Sequence, residues 1–211
     1  MNNILTISNL HKSFDGFNLF IAANLSLRKD SVTLLTGDNG TGKSTLFNII
    51  TGFEKIEVGC IEFEGIKING LKPLMISRLG VSRLFQTPRV FGNLTIKENL
   101  KLSYPLDCIG HISLIDKFNL LDKIDCRVGE LSFGQQKIVS FCTILGTRPR
   151  LVLLDEPFAG IDNKFIPIIK QEIISKKESG TSFFIIEHNR NKILDVCNYE
   201  YCLANEKINL V

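Results

Sequence analysis

Four short runs along the chain are hydrophobic at almost every position. They lie at residues 32–36, 81–85, 151–154 and 182–186. Strands whose two faces are both covered have this continuous pattern, which is typical of a parallel sheet with helices on its faces. Helical patterns follow three of the four runs, so the sequence predicts an α/β fold with a mostly parallel core sheet.

Three other segments predict a second, antiparallel group of strands. They are rich in β-branched or alternating hydrophobic residues and lie near residues 5–8, 19–27 and 60–63. Turn signals such as Asp15-Gly16 separate them. The pattern is that of strands joined by tight turns, and we expect an antiparallel lobe beside the core sheet.

A helical insert is predicted in the middle of the chain. Residues 93–121 combine amphipathic helical patterns with a break around Tyr104-Pro105. We place the whole insert at about residues 90–146. No repeat, low-complexity segment or Gly/Ser linker divides the sequence, so one domain over residues 1–211 is predicted.

The first hydrophobic run leads directly into a glycine-rich segment. This segment fits the pattern G-x-x-x-x-G-K-[ST], and a helical pattern follows it. Glycines let backbone N–H groups surround phosphate oxygens, a lysine reaches the β and γ phosphates, and a hydroxyl holds Mg²⁺. An ordinary glycine-rich turn is the alternative, but the order of strand, loop and helix favours a phosphate-binding loop (P-loop) for ATP and Mg²⁺. Its residues are Gly37, Asp38, Asn39, Gly40, Thr41, Gly42, Lys43, Ser44 and Thr45.

Two carboxylates end the third hydrophobic run, where Asp155 and Glu156 follow LVLL. Ligand sites of parallel sheets lie at the carboxyl ends of the strands. One acid can assist Mg²⁺ while the other orients or deprotonates the attacking water. An acidic pair is also a common way for a strand to end, so this signal depends on the P-loop.

The segment LSFGQQ lies between these two motifs. Ser132 and Gln135 form an S-x-x-Q capping box, which predicts a helix that runs toward Leu145. A capped helix start beside Gly134 is also able to bind an anion, and the two interpretations are compatible.

Taken in order, GDNGTGKST, LSFGQQ and LLDEP resemble the nucleotide-binding subunit of ATP-binding cassette (ABC) transporters over essentially the whole chain. LSFGQ is close to the family signature LSGGQ. The resemblance implies a P-loop ATPase of the ABC type. It further implies that Gln86 is the Q-loop glutamine, His188 the switch histidine and Asp162 the D-loop aspartate, and that Phe14 stacks on adenine.

The same resemblance implies a role for each site residue. The implied catalytic residues are Lys43, Glu156 as general base and His188 on the γ-phosphate. The implied metal ligands are Ser44, Gln86 and Asp155. Outside the P-loop, the implied nucleotide contacts are Phe14, Gln86, Ser132, Gly134, Gln135 and Asp162.

The partners implied by the resemblance are a second ATPase subunit and a membrane permease. In a head-to-tail dimer, homomeric or with a different ABC ATPase, Ser132 and Gly134 of one protomer cap ATP on the P-loop of the other. Gln86 links the site to the permease, and the helical insert docks on it. Three stretches depart from the family pattern: Asp30-Ser31, Ala159-Gly160-Ile161 in the D-loop, and Ile138 with Thr143 where arginines are frequent.

Charge and composition exclude several other classes. Lys+Arg 25 against Asp+Glu 22 leaves a net charge of +3, and no run of five like charges occurs, so no nucleic-acid partner is expected. The uncharged stretch 138–147 is far shorter than the roughly 20 residues of a membrane span. No signal peptide is visible, and we expect a cytoplasmic protein attached peripherally to the inner face of the cell membrane. The six scattered cysteines are expected to be reduced and buried.

Two function classes stay open. The first is a transporter motor, and RLFQTPRVFGNLTIKENL with IIEHN is similar to ATPases of branched-chain amino acid and urea importers. LLDEPFAGID is instead similar to the ATPase of lipopolysaccharide export, and we favour the importers. The second class is a soluble ABC ATPase of a non-transport assembly, such as an iron–sulfur scaffold. A regulator without hydrolysis is disfavoured because Glu156 and His188 are both present.

Overall fold

Every predicted strand forms, and three further strands join them. The computed structural model describes residues 2–103 and 108–211. In chain order its strands are β1 (Asn3–Phe14), β2 (Phe17–Arg28), β3 (Val32–Thr36), β4 (Val58–Phe63), β5 (Ile66–Lys67), β6 (Val81–Leu84), β7 (Leu151–Asp155), β8 (Ser182–Ile186), β9 (Tyr199–Ala204) and β10 (Lys207–Leu210).

The larger sheet has six strands in the order β10-β9-β3-β8-β7-β6. Pairing is parallel from β9 through β6, and β10 pairs antiparallel with β9 at the edge. The predicted, mostly parallel core sheet is therefore confirmed. Its four predicted strands, β3, β8, β7 and β6, are direct neighbours, so the loops that follow them meet at one edge.

The smaller sheet is the predicted antiparallel lobe. Its order is β2-β1-β4-β5, and each neighbouring pair is antiparallel. β1 is much longer than the predicted segment 5–8, and β2 extends the predicted segment 19–27 at both ends, because the two strands form one hairpin around the turn at Asp15-Gly16.

Helices connect and cover the sheets. They are α1 (Lys43–Ile50), α2 (Pro73–Arg78), α3 (Ile96–Ser103), α4 (Cys108–Lys117), α5 (Phe133–Gly146) and α6 (Ile166–Glu178). Short 3-10 turns lie at Leu121–Lys123, Val128–Glu130, Asn163–Phe165, Arg190–Lys192 and Leu194–Val196. Three of the helices, α3 to α5, lie between β6 and β7, where the insert was predicted. The predicted break at Tyr104-Pro105 falls outside the described residues.

The core lies on both faces of the parallel sheet, which explains the continuous hydrophobic runs. Along β7, Val152 and Leu154 join the cluster that packs on α5 and α6, while Leu151 and Leu153 face the cluster under the antiparallel sheet and α1. In the second cluster the rings of Phe47 and Phe184 lie 5.2 Å apart. These four residues of β7 are fully buried.

The cysteines follow the prediction only in part. All five cysteines whose side chains the structure describes are free thiols. Cys142 is fully buried, and burial raises the pKa of its thiol well above the ordinary value. Cys126 is exposed, contrary to the expectation of burial, because it lies in the irregular segment before α5. Cys108 has no described side chain.

No helix within residues 2–103 and 108–211 combines the length and the apolar character that crossing a membrane requires.

Candidate functional site

The P-loop joins β3 to α1 in the predicted way. Gly42 is the residue before α1 and has φ 103°, a backbone conformation that favours glycine. A Cβ atom there would also lie 2.7 Å from Cγ of Leu19 on β2. The positive φ and the close approach of the Leu19 side chain therefore both favour glycine at this position.

Lys43 begins α1 and points back into the loop. Its Nζ donates hydrogen bonds of 2.7 Å to the carbonyl oxygens of Gly37 and Asp38. Burial lowers the pKa of this ammonium, and the carboxylates of Glu156, Asp38 and Asp155 oppose the shift. The cation is held by the loop it belongs to, at the start of a helix whose dipole also favours anions.

A cavity of about 310 Å³ lies in front of this loop. The P-loop forms its floor, and side chains from the hairpin of the antiparallel lobe and from the ends of β7 and β8 complete the wall. Its lining residues are Phe14, Leu19, Asn39, Gly40, Gly42, Lys43, Ser44, Thr45, Glu156, Ile186 and His188. The structure thus brings the predicted adenine contact, the P-loop and two predicted catalytic residues to one cavity.

Asp155 lies at the back of the P-loop and is almost inaccessible to solvent. Its Oδ1 lies 3.4 Å from the hydroxyl of Ser44, and its Oδ2 accepts a hydrogen bond of 2.9 Å from Arg83 on β6. Arg83 also donates to the side chain of Asn48 on α1, at 2.7 Å. This buried ion pair fixes one carboxylate oxygen and leaves the other facing Ser44.

Glu156 is the centre of a hydrogen-bonded group at the strand ends. Its two carboxylate oxygens lie 2.9 Å from Nε2 of His188 and 3.1 Å from the amide nitrogen of Gln86. Gln86 therefore contacts Glu156 in this structure, and the hydrogen bond is not to Ser44 or Asp155. The backbone of Glu156 has φ 48°, a strained conformation for a residue with a side chain.

The predicted signature residues and the D-loop aspartate lie elsewhere. Ser132, Gly134, Gln135 and Asp162 line a separate cavity of about 300 Å³. The structure brings these four together but does not bring them to the P-loop cavity of the same chain. The capping box is confirmed, since Ser132 and Gln135 exchange side-chain to backbone hydrogen bonds at the start of α5.

Two buried cations close to the site were not predicted. Arg83 pairs with Asp155, and Lys137 on α5 donates hydrogen bonds to the backbone oxygens of Glu156 and Ala159. A signal for Arg83 was the charge inside an otherwise hydrophobic strand. A signal for Lys137 was that it is the last charged residue before the uncharged stretch 138–147.

A comparison with protein families identifies the family of this chain. Residues 21–159, more than half of the chain, match the ABC transporter family. The chain belongs to the ABC transporter ATP-binding family. Proteins of this family bind ATP and hydrolyse it in support of transport, which agrees with a P-loop cavity that has Glu156, at the end of β7, in its wall.

Individual ABC proteins resemble the chain over almost its full length. A probable branched-chain amino acid transport ATP-binding protein of Methanocaldococcus jannaschii is 33% identical, and the alignment covers 97% of this chain and 88% of that protein. The lipopolysaccharide export system ATP-binding protein of Haemophilus influenzae is 31% identical over 98% and 89% of the two chains. A crystal structure of the ADP conformation of an ABC transporter cassette superposes with a TM-score of 0.84, at 31% identity, and covers 99% of this chain and 90% of that one.

Proposed function

We propose that this ABC subunit binds ATP and Mg²⁺ in the P-loop cavity and hydrolyses ATP in a head-to-tail dimer that powers a separate membrane permease. The observation that carries the proposal is the convergence of the P-loop and the ends of β7 and β8 on one cavity. Lys43, Glu156 and His188 reach it from three different elements, and each has the chemistry that phosphoryl transfer needs.

Phosphate binding is assigned to the P-loop. Backbone N–H groups at the start of α1 and the Lys43 ammonium would bind the β and γ phosphates, because both present positive charge to the cavity. Lys43 now donates to two loop carbonyls, and exchanging these for phosphate oxygens gives it charged acceptors, which form the stronger hydrogen bonds. Phe14, 44% exposed at the rim, offers a ring face for the base.

The residues at the back of the loop fit Mg²⁺. Ser44 and Asp155 present two hard oxygen atoms 3.4 Å apart beside the phosphate site. Mg²⁺ in nucleotide sites takes one or two protein oxygens and completes its shell with phosphates and water. Within the described residues no group of three or more His, Cys, Asp or Glu side chains could form a metal cage, and such a site does not need one. Bound Mg²⁺ would neutralise charge on the β and γ phosphates.

Hydrolysis is assigned to Glu156. Its carboxylate would take a proton from a water molecule as the water oxygen bonds to the γ-phosphorus and the bond to the bridging β–γ oxygen breaks. In the present structure Gln86 and His188 each hold one oxygen of this carboxylate. His188 is 44% exposed and therefore also open to the γ-phosphate. We also assign Gln86 as a ligand of Mg²⁺. This role requires its side-chain amide to leave Glu156.

The dimer is supported by the position of the signature residues. They surround a cavity of their own, so in a single chain they have no phosphate to contact. A second P-loop, brought to them head to tail, would place its ATP against the start of α5. Gly134 suits this role, because a Cβ at this residue would overlap the carbonyl oxygen of Gly160 in the D-loop. Close packing of the two loops therefore shapes the capping surface.

Mixing two inactive variants tests the dimer. Ser132→Arg should block the capping surface but leave the P-loop of the same chain intact, whereas Lys43→Ala does the reverse. Either variant alone is expected to be inactive. A mixed dimer has one intact site, so an equimolar mixture should recover about a quarter of the wild-type ATPase rate if the sites are independent. The measurement is phosphate release as a function of protein concentration.

The matched control replaces one partner by the double variant. A mixture of Lys43→Ala with Lys43→Ala/Ser132→Arg contains no intact site and should stay inactive. If Ser132→Arg alone kept full activity, the capping role would be wrong. If mixed dimers formed without recovery, independent sites in a homodimer would be excluded.

The permease is assigned to a groove beside the Q-loop. A cavity of about 360 Å³ lies between α2, β6 and α5, and its walls include Phe53, Leu74 and Phe85. Phe53 and Leu74 are more than half exposed. Phe85 in the groove wall precedes Gln86, and Gln86 contacts Glu156. A short permease helix seated in the groove would therefore be connected to Glu156 through Phe85 and Gln86. An exposed hydrophobic surface with this connection is typical of a protein contact site.

Co-purification distinguishes a transporter motor from a non-transport ATPase. A tagged chain, isolated from detergent-solubilised membranes, is expected to retain a protein with several membrane spans in stoichiometric amount. Leu74→Glu should lose that protein, while Lys207→Glu on the far edge strand β10 should keep it. Retention of soluble scaffold proteins alone, from the soluble fraction, would support the non-transport assembly.

The transport class is proposed from the relatives. Two proteins named for branched-chain amino acid transport each match 97% of the chain, and the segment RLFQTPRVFGNLTIKENL around Gln86 resembles the ATPases of such importers. We propose an importer of this class. The cavity described here has nucleotide-binding chemistry only, so the cargo is selected by the permease and any binding protein.

A further inference from the structure

Lys137 is a fully buried cation that the assigned mechanism does not use. It lies in the second turn of α5, five residues after Ser132, and its side chain has no solvent exposure. Its Nζ lies 2.6 Å from the carbonyl oxygen of Glu156 and 3.2 Å from that of Ala159. Burying an ammonium is costly unless its hydrogen bonds are made, so this placement needs a reason.

The two acceptors are the two ends of the turn that carries Glu156. This residue has φ 48°, and its backbone N–H donates to the carbonyl of Ile186 on β8 at 2.9 Å. Lys137 holds the other side of the same residue through its carbonyl. A strained backbone conformation persists only where the surroundings fix it, and these two hydrogen bonds fix both peptide groups of Glu156.

The same lysine belongs to the helix whose start forms the capping surface. Gly134 packs against the carbonyl of Gly160, and the Lys137 ammonium lies 5.9 Å from the centre of the Phe133 ring. One rigid helix turn therefore contacts both the surface that receives the partner's nucleotide and the turn that aims Glu156. A shift of the helix start would reach the Glu156 backbone through this side chain.

We propose that Lys137 is a positioning residue that fixes the backbone of Glu156 and couples the capping surface of a protomer to its own general base. The inference rests on the proposed function of Glu156. Electrostatic surroundings are consistent with it: burial lowers the pKa of the Lys137 ammonium, while Glu156, Glu187 and Asp155 oppose that shift. The coupling works through the two hydrogen bonds that the Lys137 side chain donates to the Glu156 turn, and the side chain touches no substrate.

Lys137→Met is the main test, because methionine keeps most of the side-chain volume and removes the charge and the donors. Misplacement of a catalytic group by about 1 Å can cost about 10²-fold in rate. We expect kcat to fall about 10- to 100-fold while the dissociation constant for ATP changes less than about threefold. In Mg²⁺ and ATP the variant should still form dimers, and these should last longer than wild-type dimers because turnover is slow.

Thr143→Val is the control. It removes the hydrogen bond that the Thr143 hydroxyl donates to the carbonyl oxygen of Val139 within α5, and this bond does not involve the turn that carries Glu156. It should leave kcat and dimer lifetime at wild-type values. Lys137→Gln, which keeps a neutral donor, should fall between wild type and Lys137→Met, and it provides the measurement if the methionine variant unfolds below the assay temperature.

Hydrogen exchange supplies a readout that does not depend on activity. In the nucleotide-free protein, Lys137→Met should raise exchange in residues 156–162 but not in β7. The inference is overturned if kcat stays at wild type, or if kcat and ATP affinity fall together, or if exchange in residues 156–162 is unchanged. If the wild-type protein hydrolyses ATP and Glu156→Gln loses that activity while Lys137→Met keeps it, the role of Lys137 is rejected. The proposed function then stays intact.

Discussion

Lys43→Ala is expected to reduce ATP hydrolysis below detection. Among the residues that the structure describes, Lys43 is the one lysine that lines the P-loop cavity, and the chemistry there is mostly electrostatic stabilisation of phosphate charge. Loss of a single group of this kind costs about 10²–10³-fold in kcat, and lysine also contributes to binding. The measurement is phosphate release under saturating ATP and Mg²⁺, together with nucleotide affinity by calorimetry.

The fold should survive this substitution. The side chain of Lys43 donates its hydrogen bonds to two loop carbonyls, and removing it leaves those carbonyls near the open cavity, where water can reach them. Circular dichroism and the melting temperature should therefore stay close to wild type. Lys207→Ala, an exposed lysine on β10, is the control and should keep full activity. Near-normal hydrolysis by Lys43→Ala would reject the P-loop as the catalytic site.

How far the sequence predicts this fold depends on how each element is buried. β3, β7 and β8 were predictable because both of their faces contact the core, so hydrophobic residues occupy most of their positions. β9 was missed, since its sequence YEYCLA is only half-buried and mixes polar with hydrophobic residues. β5 has two residues, too few for any period to be recognised.

The candidate site shows the same division. The P-loop, Asp155 and Glu156 were predictable because each follows a recognisable strand, and parallel topology then brings strand ends together. That Gln86 and His188 meet on one carboxylate was not predictable, because they are about a hundred residues apart and only the strand order β8-β7-β6 makes them neighbours across Glu156.

Buried cations are the clearest case of what sequence patterns miss. Arg83 lies within a strand and Lys137 within a helix, and both patterns treat a charge as a solvent-facing position. Each is buried here because an acceptor from a distant part of the chain lies opposite it: the Asp155 carboxylate for one and two backbone carbonyls for the other. Such partners are a property of the tertiary structure.

Glu156→Gln is expected to abolish turnover by a different route from Lys43→Ala. Glutamine keeps the shape of the side chain and can still contact Gln86 and His188, but its amide cannot accept the proton of the attacking water. General-base catalysis contributes about 10²–10⁴-fold, and kcat should fall by that factor while ATP and Mg²⁺ still bind. Because bound ATP would hold two protomers together and hydrolysis would release them, the variant should accumulate as a dimer that is visible by size-exclusion chromatography with light scattering.

Glu187→Gln is the matched control for that variant. Glu187 is an acid at the end of the neighbouring strand β8, it is buried, and burial raises the pKa of its carboxyl, so a neutral amide suits its surroundings. Its Oε1 accepts from the backbone N–H of Asn189, which glutamine can preserve, and no hydrogen bond in the described part of the chain reaches its Oε2. We expect near wild-type kcat and no ATP-stabilised dimer from it. If Glu156→Gln instead hydrolysed ATP within about threefold of wild type and stayed monomeric with ATP and Mg²⁺, the proton of the attacking water would have another acceptor, because a true general base cannot be lost at so small a cost.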